Sequence, residues 1–210
     1  MDKKIIGQAE RYYTQKAEQY GATSRGVDWN SEESQRLRFE KLTGILQQEG
    51  SSGFSVCDYG CGYGSYAAYL KEKGYDCAYT GLDVSEKMIE LARQTYGGLE
   101  HTIFRQDSSL QGMYDYIVAS GIFNVRQDVG YEKWTAYMTE ILERFHQHTE
   151  KGFAFNCLTK YSDAEFMKDY LYYADPLYYF DYAKSRFSRN VALLHDYGLY
   201  EFTILVRKKV

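Results

Sequence analysis

The sequence predicts a three-layer α/β sandwich, in which helices cover both faces of a mostly parallel, seven-stranded sheet. From about residue 54 onward, short apolar runs of strand length alternate with segments of helical periodicity, which is typical of parallel sheets. After the last helical segment, two strand-like runs follow each other with a glycine, Gly198, between them. Strands joined by a tight turn are antiparallel, so we expect the sheet to end in a C-terminal antiparallel hairpin.

The composition limits the classes of protein to consider. The chain has 210 residues, of which 44% are hydrophobic and 26% charged, the balance of one globular domain. A formal net charge of −4 argues against a nucleic-acid partner, because such proteins normally carry a basic face. No apolar stretch approaches the roughly 18 residues of a membrane span, and the N-terminus turns polar too soon for a signal peptide. We therefore expect a cytoplasmic protein without a membrane partner; its oligomeric state stays open.

The first 50 residues are predicted to form a helical cap ahead of a sheet-forming core at 51–210. Apolar residues recur at helical spacing over 5–20, and Gly21 and Gly26 then mark a loop. A second helix is predicted over 32–48, with Ser31 as its N-cap. No linker or repeat divides the chain, so we interpret 1–210 as a single domain.

The core region alternates strands and helices until near its end. Strands are predicted at 54–59, 76–82, 102–104, 114–120 and 152–158, with helices at 65–73, 85–96 and 131–148 between them. A helix at 175–189 follows, with Pro176 suited to its first turn. The hairpin strands are predicted at 190–197 and 199–208. A tyrosine-rich insertion at about 160–189 separates the fifth strand from this hairpin.

The clearest functional signal is a glycine-rich loop at the end of the first strand. After Asp58 and Tyr59 the chain reads Gly60-Cys61-Gly62-Tyr63-Gly64, and a helix follows. Glycines permit a sharp turn and let a ligand approach the backbone, and the helix start offers free N–H groups. In open parallel sheets, ligands bind at the carboxyl ends of the strands near the switch point. The loop therefore predicts a ligand site at that edge of the sheet.

Two carboxylates indicate which ligand this loop suits. Asp83 ends the second strand 19 residues beyond Gly64, close to the spacing of about 20 at which an acid accepts the ribose hydroxyls. The loop reads G-x-G-x-G rather than the G-x-G-x-x-G of dinucleotide sites. Asp58 would repel a pyrophosphate, but it can hold an ammonium group. The pattern therefore favours a nucleoside with an amino-acid tail, and it disfavours a nicotinamide-dependent oxidoreductase.

These motifs resemble those of the class I S-adenosylmethionine-dependent methyltransferases. The block at 56–64 resembles the first motif of that family, and 81–85 with Met88 resembles the second. The segments 105–108 and 115–121 resemble weaker, later motifs, so that the resemblance covers residues from about 54 to 210. It implies a Rossmann-like fold, S-adenosyl-L-methionine as the cofactor, and methyl transfer as the activity.

The resemblance also implies a set of residues that contact the cofactor. Asp58 would bind its amino group, Asp83 its ribose, and Asp107 with Ser108 its adenine. Tyr20 and Arg38 would close over its carboxylate, although a packed tyrosine and a solvated arginine are equally open alternatives. The full set is Tyr20, Arg38, Asp58, Gly60, Cys61, Gly62, Gly64, Asp83, Val84, Asp107, Ser108 and Ser120.

The identity of the acceptor is less well marked. After the fourth strand the chain lacks the paired prolines of families that methylate the exocyclic amines of bases, since its one proline is Pro176. We therefore expect a small-molecule acceptor, and no residue stands out as a catalytic base. A protein that binds the cofactor without transferring its methyl group remains the alternative.

The insertion at 160–189 is a candidate to meet that acceptor, because tyrosines offer flat apolar area with a polar tip. Packing of the same segment on the sheet or on a partner subunit is the alternative. Its tyrosines include Tyr170, Tyr172, Tyr173, Tyr178, Tyr179 and Tyr182. The four cysteines lack the spacing of a metal site, so we expect reduced, mostly buried thiols and no metal.

Overall fold

The computed structural model describes residues 2–47 and 49–208. Within these residues, seven strands form one sheet in the order β3-β2-β1-β4-β5-β7-β6. Strands β1 to β5 pair in parallel, and β7 lies antiparallel between β5 and β6. The strands are β1 (Ser52–Tyr59), β2 (Asp76–Asp83), β3 (Thr102–Gln106), β4 (Tyr114–Ala119), β5 (Thr149–Leu158), β6 (Asn190–Leu194) and β7 (Glu201–Arg207). The predicted fold class, including its antiparallel end, is confirmed.

Helices cover both faces of this sheet. They are α1 (Lys3–Tyr20), α2 (Glu32–Thr43), α3 (Ser65–Glu72), α4 (Glu86–Tyr96), α5 (Tyr131–Gln147) and α6 (Pro176–Arg186). Phe39 of α2, Leu70 of α3 and Ile89 of α4 share one apolar core, whereas Phe145 of α5 and Tyr179 of α6 belong to the other. Within the described residues, no helix is long and apolar enough to cross a membrane.

The helix starts follow from side-chain caps that the sequence contains. Ser31 Oγ accepts from the backbone N–H of Ser34 at 3.1 Å, and Ser85 Oγ accepts from that of Met88 at 3.3 Å. Each cap satisfies one of the N–H groups that a helix start leaves unpaired. Asp175 caps α6 in the same way, directly before Pro176.

The N-terminal segment has two structural roles. Helix α2 packs on the sheet and contributes Phe39 and Leu42 to its core. Helix α1 instead lies beside α4 and the 3₁₀ turn Ser24–Val27. The hydroxyls of Thr14 in α1 and Ser85 after β2 are 2.7 Å apart, within hydrogen-bond distance. This contact holds α1 over the carboxyl end of β2.

Several predicted boundaries were wrong, and two of them, at the hairpin and at the end of α2, have a clear physical reason. The hairpin connection is a six-residue loop, 195–200, and not a tight turn at Gly198. It is longer because Tyr197 folds inward, where its hydroxyl lies 2.9 Å from Thr203 Oγ1. Helix α2 ends at Thr43, since Gly44–Leu46 tighten into a 3₁₀ turn; Gln48, the predicted end, lies outside the described residues.

Candidate active site

A cavity of about 930 Å³, open to solvent, lies at the carboxyl ends of β1, β2 and β4. The strand order reverses between β1 and β4, so this is the topological switch point at which open α/β sheets bind ligands. Nine of the twelve residues predicted from the sequence line the cavity. They are Asp58, Gly60, Cys61, Gly62, Asp83, Val84, Asp107, Ser108 and Ser120.

The glycine loop forms one wall of this cavity with its backbone. Gly60 and Gly62 adopt φ values of 81° and 54°, a region that favours glycine. A Cβ on Gly60 would lie 2.2 Å from Ile122 Cγ2, and one on Gly62 would lie 2.6 Å from Val27 Cγ1. The N–H groups of Gly60 and Cys61 both donate to the carbonyl of Leu82, at 2.7 and 2.9 Å. The loop is therefore tied to the end of β2.

Asp83 is held across that loop by backbone donors. Its Oδ2 accepts from the N–H of Gly62 and its Oδ1 from that of Ser85, both at 2.9 Å. Burial raises the pKa of Asp83 to about 6, although the same backbone hydrogen bonds oppose the rise. Each carboxylate oxygen keeps a second lone pair, so Asp83 can still accept hydroxyl hydrogens from a ligand.

Asp58 is the second buried carboxyl group of the cavity. Its Oδ2 accepts from the phenol of Tyr79 at 2.6 Å. The pKa of Asp58 is raised to about 7, mainly because the group is buried. The negative charge of Asp83 adds to this rise, and the hydrogen bond from Tyr79 opposes it. A cationic ligand would favour the ionised form of this group. The environment of Asp58 therefore suits an ammonium or another positive charge.

Two further groups leave polar atoms for a ligand. Ser120 Oγ is buried on the cavity wall and has no hydrogen-bond partner among the described residues, whereas buried polar atoms are normally paired. Burial alone would raise the pKa of Asp107, but hydrogen bonds from Ser109 and Ser108 hold it below its ordinary value. Asp107 therefore stays an anionic acceptor at the rim. These donors and acceptors fit a nucleoside that carries an amino-acid group.

Three of the predicted contact residues lie elsewhere. Gly64 is the N-cap of α3 and faces the ring of Phe104, which a Cβ would approach to 2.6 Å. Tyr20 is 37% exposed at the end of α1, outside the cavity lining. The guanidinium of Arg38 is buried and donates to Glu201 at 2.9 and 2.8 Å. Arg38 is thus neither at the cavity nor solvated, because a buried carboxylate pairs with it.

Sequence reasoning missed the aromatic residues that line the cavity, among them Tyr13 and Trp29. Tyr13 lies on α1 seven residues before Tyr20, so both occupy the same face of that helix. Helical periodicity could have marked this face, but only the placement of α1 decides which tyrosine reaches the cavity. Trp29 packs against Gly121, where a Cβ would fall 2.4 Å from its ring.

A second cavity, of about 1320 Å³, adjoins the first. Tyr13, Val27, Trp29 and Gly121 line both, so the two share a wall. The second cavity lies by the ends of β4 and β5, the start of β7 and the tyrosine-rich insertion. Its other lining residues include Asp28, Asn124, Phe166, Lys168, Tyr170 and Tyr173. Two adjoining cavities can hold two molecules side by side for a group transfer.

Comparison with known proteins identifies the family. A model described as a methyltransferase domain matches residues 57–152. Rv1506c of Mycobacterium tuberculosis, a methyltransferase by name, is 50% identical over 155 residues, which cover 74% of this chain and 93% of the relative.

Solved structures share the fold. Magnesium protoporphyrin IX methyltransferase from Synechocystis PCC 6803 with bound SAM is 17% identical, with a TM-score of 0.61 over 84% of this chain and 80% of that one. The complex of DhpI with SAH is 16% identical, with a TM-score of 0.65 over 98% and 97% of the two chains. With the cavity described above, these findings show S-adenosylmethionine to be the cofactor, and the chain belongs to the class I S-adenosylmethionine-dependent methyltransferases.

Proposed function

We propose that this methyltransferase acts on a small-molecule acceptor bound in the second cavity. The observation that carries the proposal is the wall that the two cavities share at Tyr13, Trp29 and Gly121. Methyl transfer needs direct contact between the acceptor atom and the methyl carbon, so in this proposal the acceptor reaches the donor at the margin of these shared residues and not across them. The second cavity combines aromatic rings with a few polar groups, as pockets for organic ligands commonly do.

In this proposal the first cavity orients the cofactor. Asp83 accepts the ribose hydroxyls, and Asp58, held by Tyr79, accepts from the ammonium group. Asp107 and Ser108 contact the adenine, while Ser120 lies near the methionine part. When bound, S-adenosylmethionine supplies an activated methyl group on a positively charged sulfur. Because Gly60 and Gly62 have no side chains, the backbone of the glycine loop can approach the cofactor closely.

The protein's main contribution to the reaction is placement. Orienting two reactants can lower a barrier by about 7–11 kcal/mol without an acid or a base. Burial and the charges of Asp28 and Asp83 raise the pKa of Tyr13, so its phenol stays protonated at neutral pH. A protonated phenol at the shared boundary can donate a hydrogen bond to a ligand but is poorly suited to act as a base. Helix α1 shields the junction from water while Thr14 contacts Ser85.

Labelled transfer tests the proposal. The enzyme is incubated with methyl-labelled S-adenosylmethionine and with the small-molecule, lipid, protein and nucleic-acid fractions of one cell extract. We expect label in the small-molecule fraction, and Asp83→Asn, which weakens cofactor binding, should reduce it. Label confined to a macromolecular or lipid fraction would contradict a small-molecule acceptor. Absence of label everywhere, with the cofactor still bound, would instead favour a regulatory cofactor-binding role.

A further inference from the structure

A chain of buried hydrogen bonds lies where the two cavities adjoin, and two of its members, Arg38 and Glu201, line the second cavity. Arg38 Nε and Nη2 donate to the carboxylate of Glu201 at 2.9 and 2.8 Å. The same carboxylate accepts from Asn156 Nδ2 at 2.8 Å. Asn156 Oδ1 in turn accepts from the backbone N–H of Gly121 at 2.7 Å. The chain therefore links α2, β7 and β5 to Gly121, two residues beyond the end of β4.

Trp29 closes these contacts into a ring. The guanidinium carbon of Arg38 lies 3.9 Å from the centroid of the Trp29 ring, a cation–π arrangement. Trp29 also packs against Gly121, whose φ of 75° and close contact leave no room for a side chain. We call Trp29, Arg38, Gly121, Asn156 and Glu201 the wall ring. Two of its members, Trp29 and Gly121, line both cavities.

The wall ring is better suited to setting geometry than to adding stability. The side chains of Arg38 and Glu201 are 8% and 1% exposed, and removing two charges from water offsets much of their attraction. An apolar pair of similar size is often as stable. The hydrogen bonds, by contrast, permit one arrangement, because Asn156 must accept from Gly121 and donate to Glu201.

We propose that Glu201, acting with Arg38, is a positioning residue for methyl transfer. Through Asn156 it holds the backbone of Gly121, and through Arg38 it holds the ring of Trp29. The wall then keeps the donor and acceptor sites aligned. This inference rests on the proposed function in taking the second cavity as the acceptor site. A misplacement of about 1 Å between reactants can cost about 100-fold in rate, so loss of the ring should reduce turnover strongly.

Three variants separate positioning from folding. Glu201→Leu leaves a buried guanidinium without its counter-charge and should lower the Tm markedly. Arg38→Met/Glu201→Leu replaces the whole pair by apolar side chains and should recover most of that loss. The matched control is Arg36→Met/Glu72→Leu, the same change at an ion pair whose side chains are 41% and 53% exposed. It should leave Tm and methyl transfer as in the wild type.

The decisive readouts use the double variant Arg38→Met/Glu201→Leu. We expect label transfer, measured in whichever fraction of the extract accepts it, to fall about 100-fold while the affinity for S-adenosylhomocysteine is unchanged. We also expect acrylamide to quench tryptophan fluorescence more strongly in the double variant than in the wild type, because Trp29 loses its contact with Arg38. The chain has two tryptophans, and Trp134 is 2% exposed, so the added quenching reports on Trp29.

Two results would overturn the inference. Wild-type transfer in the recovered double variant would mean that the wall ring only stabilises the fold. Loss of S-adenosylhomocysteine binding would mean that it acts on the cofactor and not on alignment. Because transfer is followed in every fraction, a macromolecular acceptor would disprove the small-molecule proposal while leaving this test intact.

Discussion

At the scale of single residues, the site is defined by two buried carboxyl groups at the ends of adjacent strands. Asp58, the next-to-last residue of β1, accepts from Tyr79, and Asp83, the last residue of β2, accepts from the N–H groups of Gly62 and Ser85. Burial raises both pKa values, to about 7 and about 6. Each group is therefore partly protonated near neutrality until a cation approaches. A positively charged cofactor favours ionisation of both.

This arrangement predicts that cofactor binding depends on pH. The folded-state pKa values lie above the ordinary value of 3.8, so the folded protein holds extra protons between about pH 4 and about pH 7. The contribution of these two groups to the free energy of unfolding therefore falls as pH rises through that window. S-adenosylmethionine is positively charged and favours the ionised forms of Asp58 and Asp83. Its binding should therefore be stronger at a pH at which these two groups have already lost their protons.

We expect the Tm increase produced by S-adenosylmethionine to be larger at about pH 8 than at about pH 5. In Asp58→Asn this pH dependence should weaken but not vanish, since the asparagine does not ionise while Asp83 still titrates. Asp115→Asn is the control, because Asp115 bonds to Ser55 outside the cavity. An increase independent of pH in the wild type would contradict the coupling.

At the scale of elements, the tyrosine-rich insertion divides into two parts. Tyr170 and Tyr173 line the second cavity. Tyr172 and Tyr179 are buried in the core, their hydroxyls 2.8 Å apart, and Tyr172 lies 2.7 Å from Thr135 Oγ1 of α5. The packing alternative is therefore confirmed for α6, whereas Tyr170 and Tyr173 border a cavity and their contact with an acceptor stays a prediction.

This division predicts that replacing two adjacent tyrosines of α6 will have different effects on the Tm. Tyr179→Phe removes one buried hydrogen bond, worth about 1 kcal/mol, and should lower the Tm by about 2–4 °C. Tyr178→Phe should not change it, since Tyr178 is 46% exposed. Thermal unfolding of both variants, with S-adenosylmethionine affinity measured alongside, makes the comparison. Equal losses, or a change in that affinity, would contradict a purely structural role for Tyr179.

At the scale of the whole molecule, the two faces of the sheet carry the apolar cores, and the carboxyl ends of its strands form the edge at which both cavities lie. The apolar cores lie above and below the sheet, and both cavities open where its strands end. Helix α1 crosses this edge, and Lys133 of α5 forms an ion pair with Asp2 at 2.6 Å. Ligands at this edge therefore contact segments that are far apart in the chain.

Cofactor binding should accordingly stabilise the entire domain. A ligand at one hundred times its dissociation constant adds about 2.7 kcal/mol, which for a domain of this size raises the Tm by roughly 5–11 °C. We expect this shift with S-adenosylmethionine and with S-adenosylhomocysteine, but not with NAD. A shift with NAD alone would contradict the reading of the G-x-G-x-G loop.

Much of the fold was predictable because it depends on local periodicity. Strand and helix runs, the caps at Ser31 and Ser85, and the glycine loop each involve residues a few positions apart. The cavity lining was predictable for a related reason. In a parallel sheet the ends of successive strands meet at one edge, so Asp58, Asp83 and Ser120 come together once the alternation is recognised.

The sequence by itself therefore determined the sheet, its antiparallel end, and most of the predicted residues that line the first cavity. Only the tertiary structure decided which residues from distant parts of the chain complete the two cavities. Arg38 pairs with Glu201 across 163 positions of sequence, and no periodicity marks that contact. Tyr13 rather than Tyr20 reaches the cavity because packing sets how far α1 extends across the sheet edge. Such contacts depend on the docking of whole elements, which nearby residues do not encode.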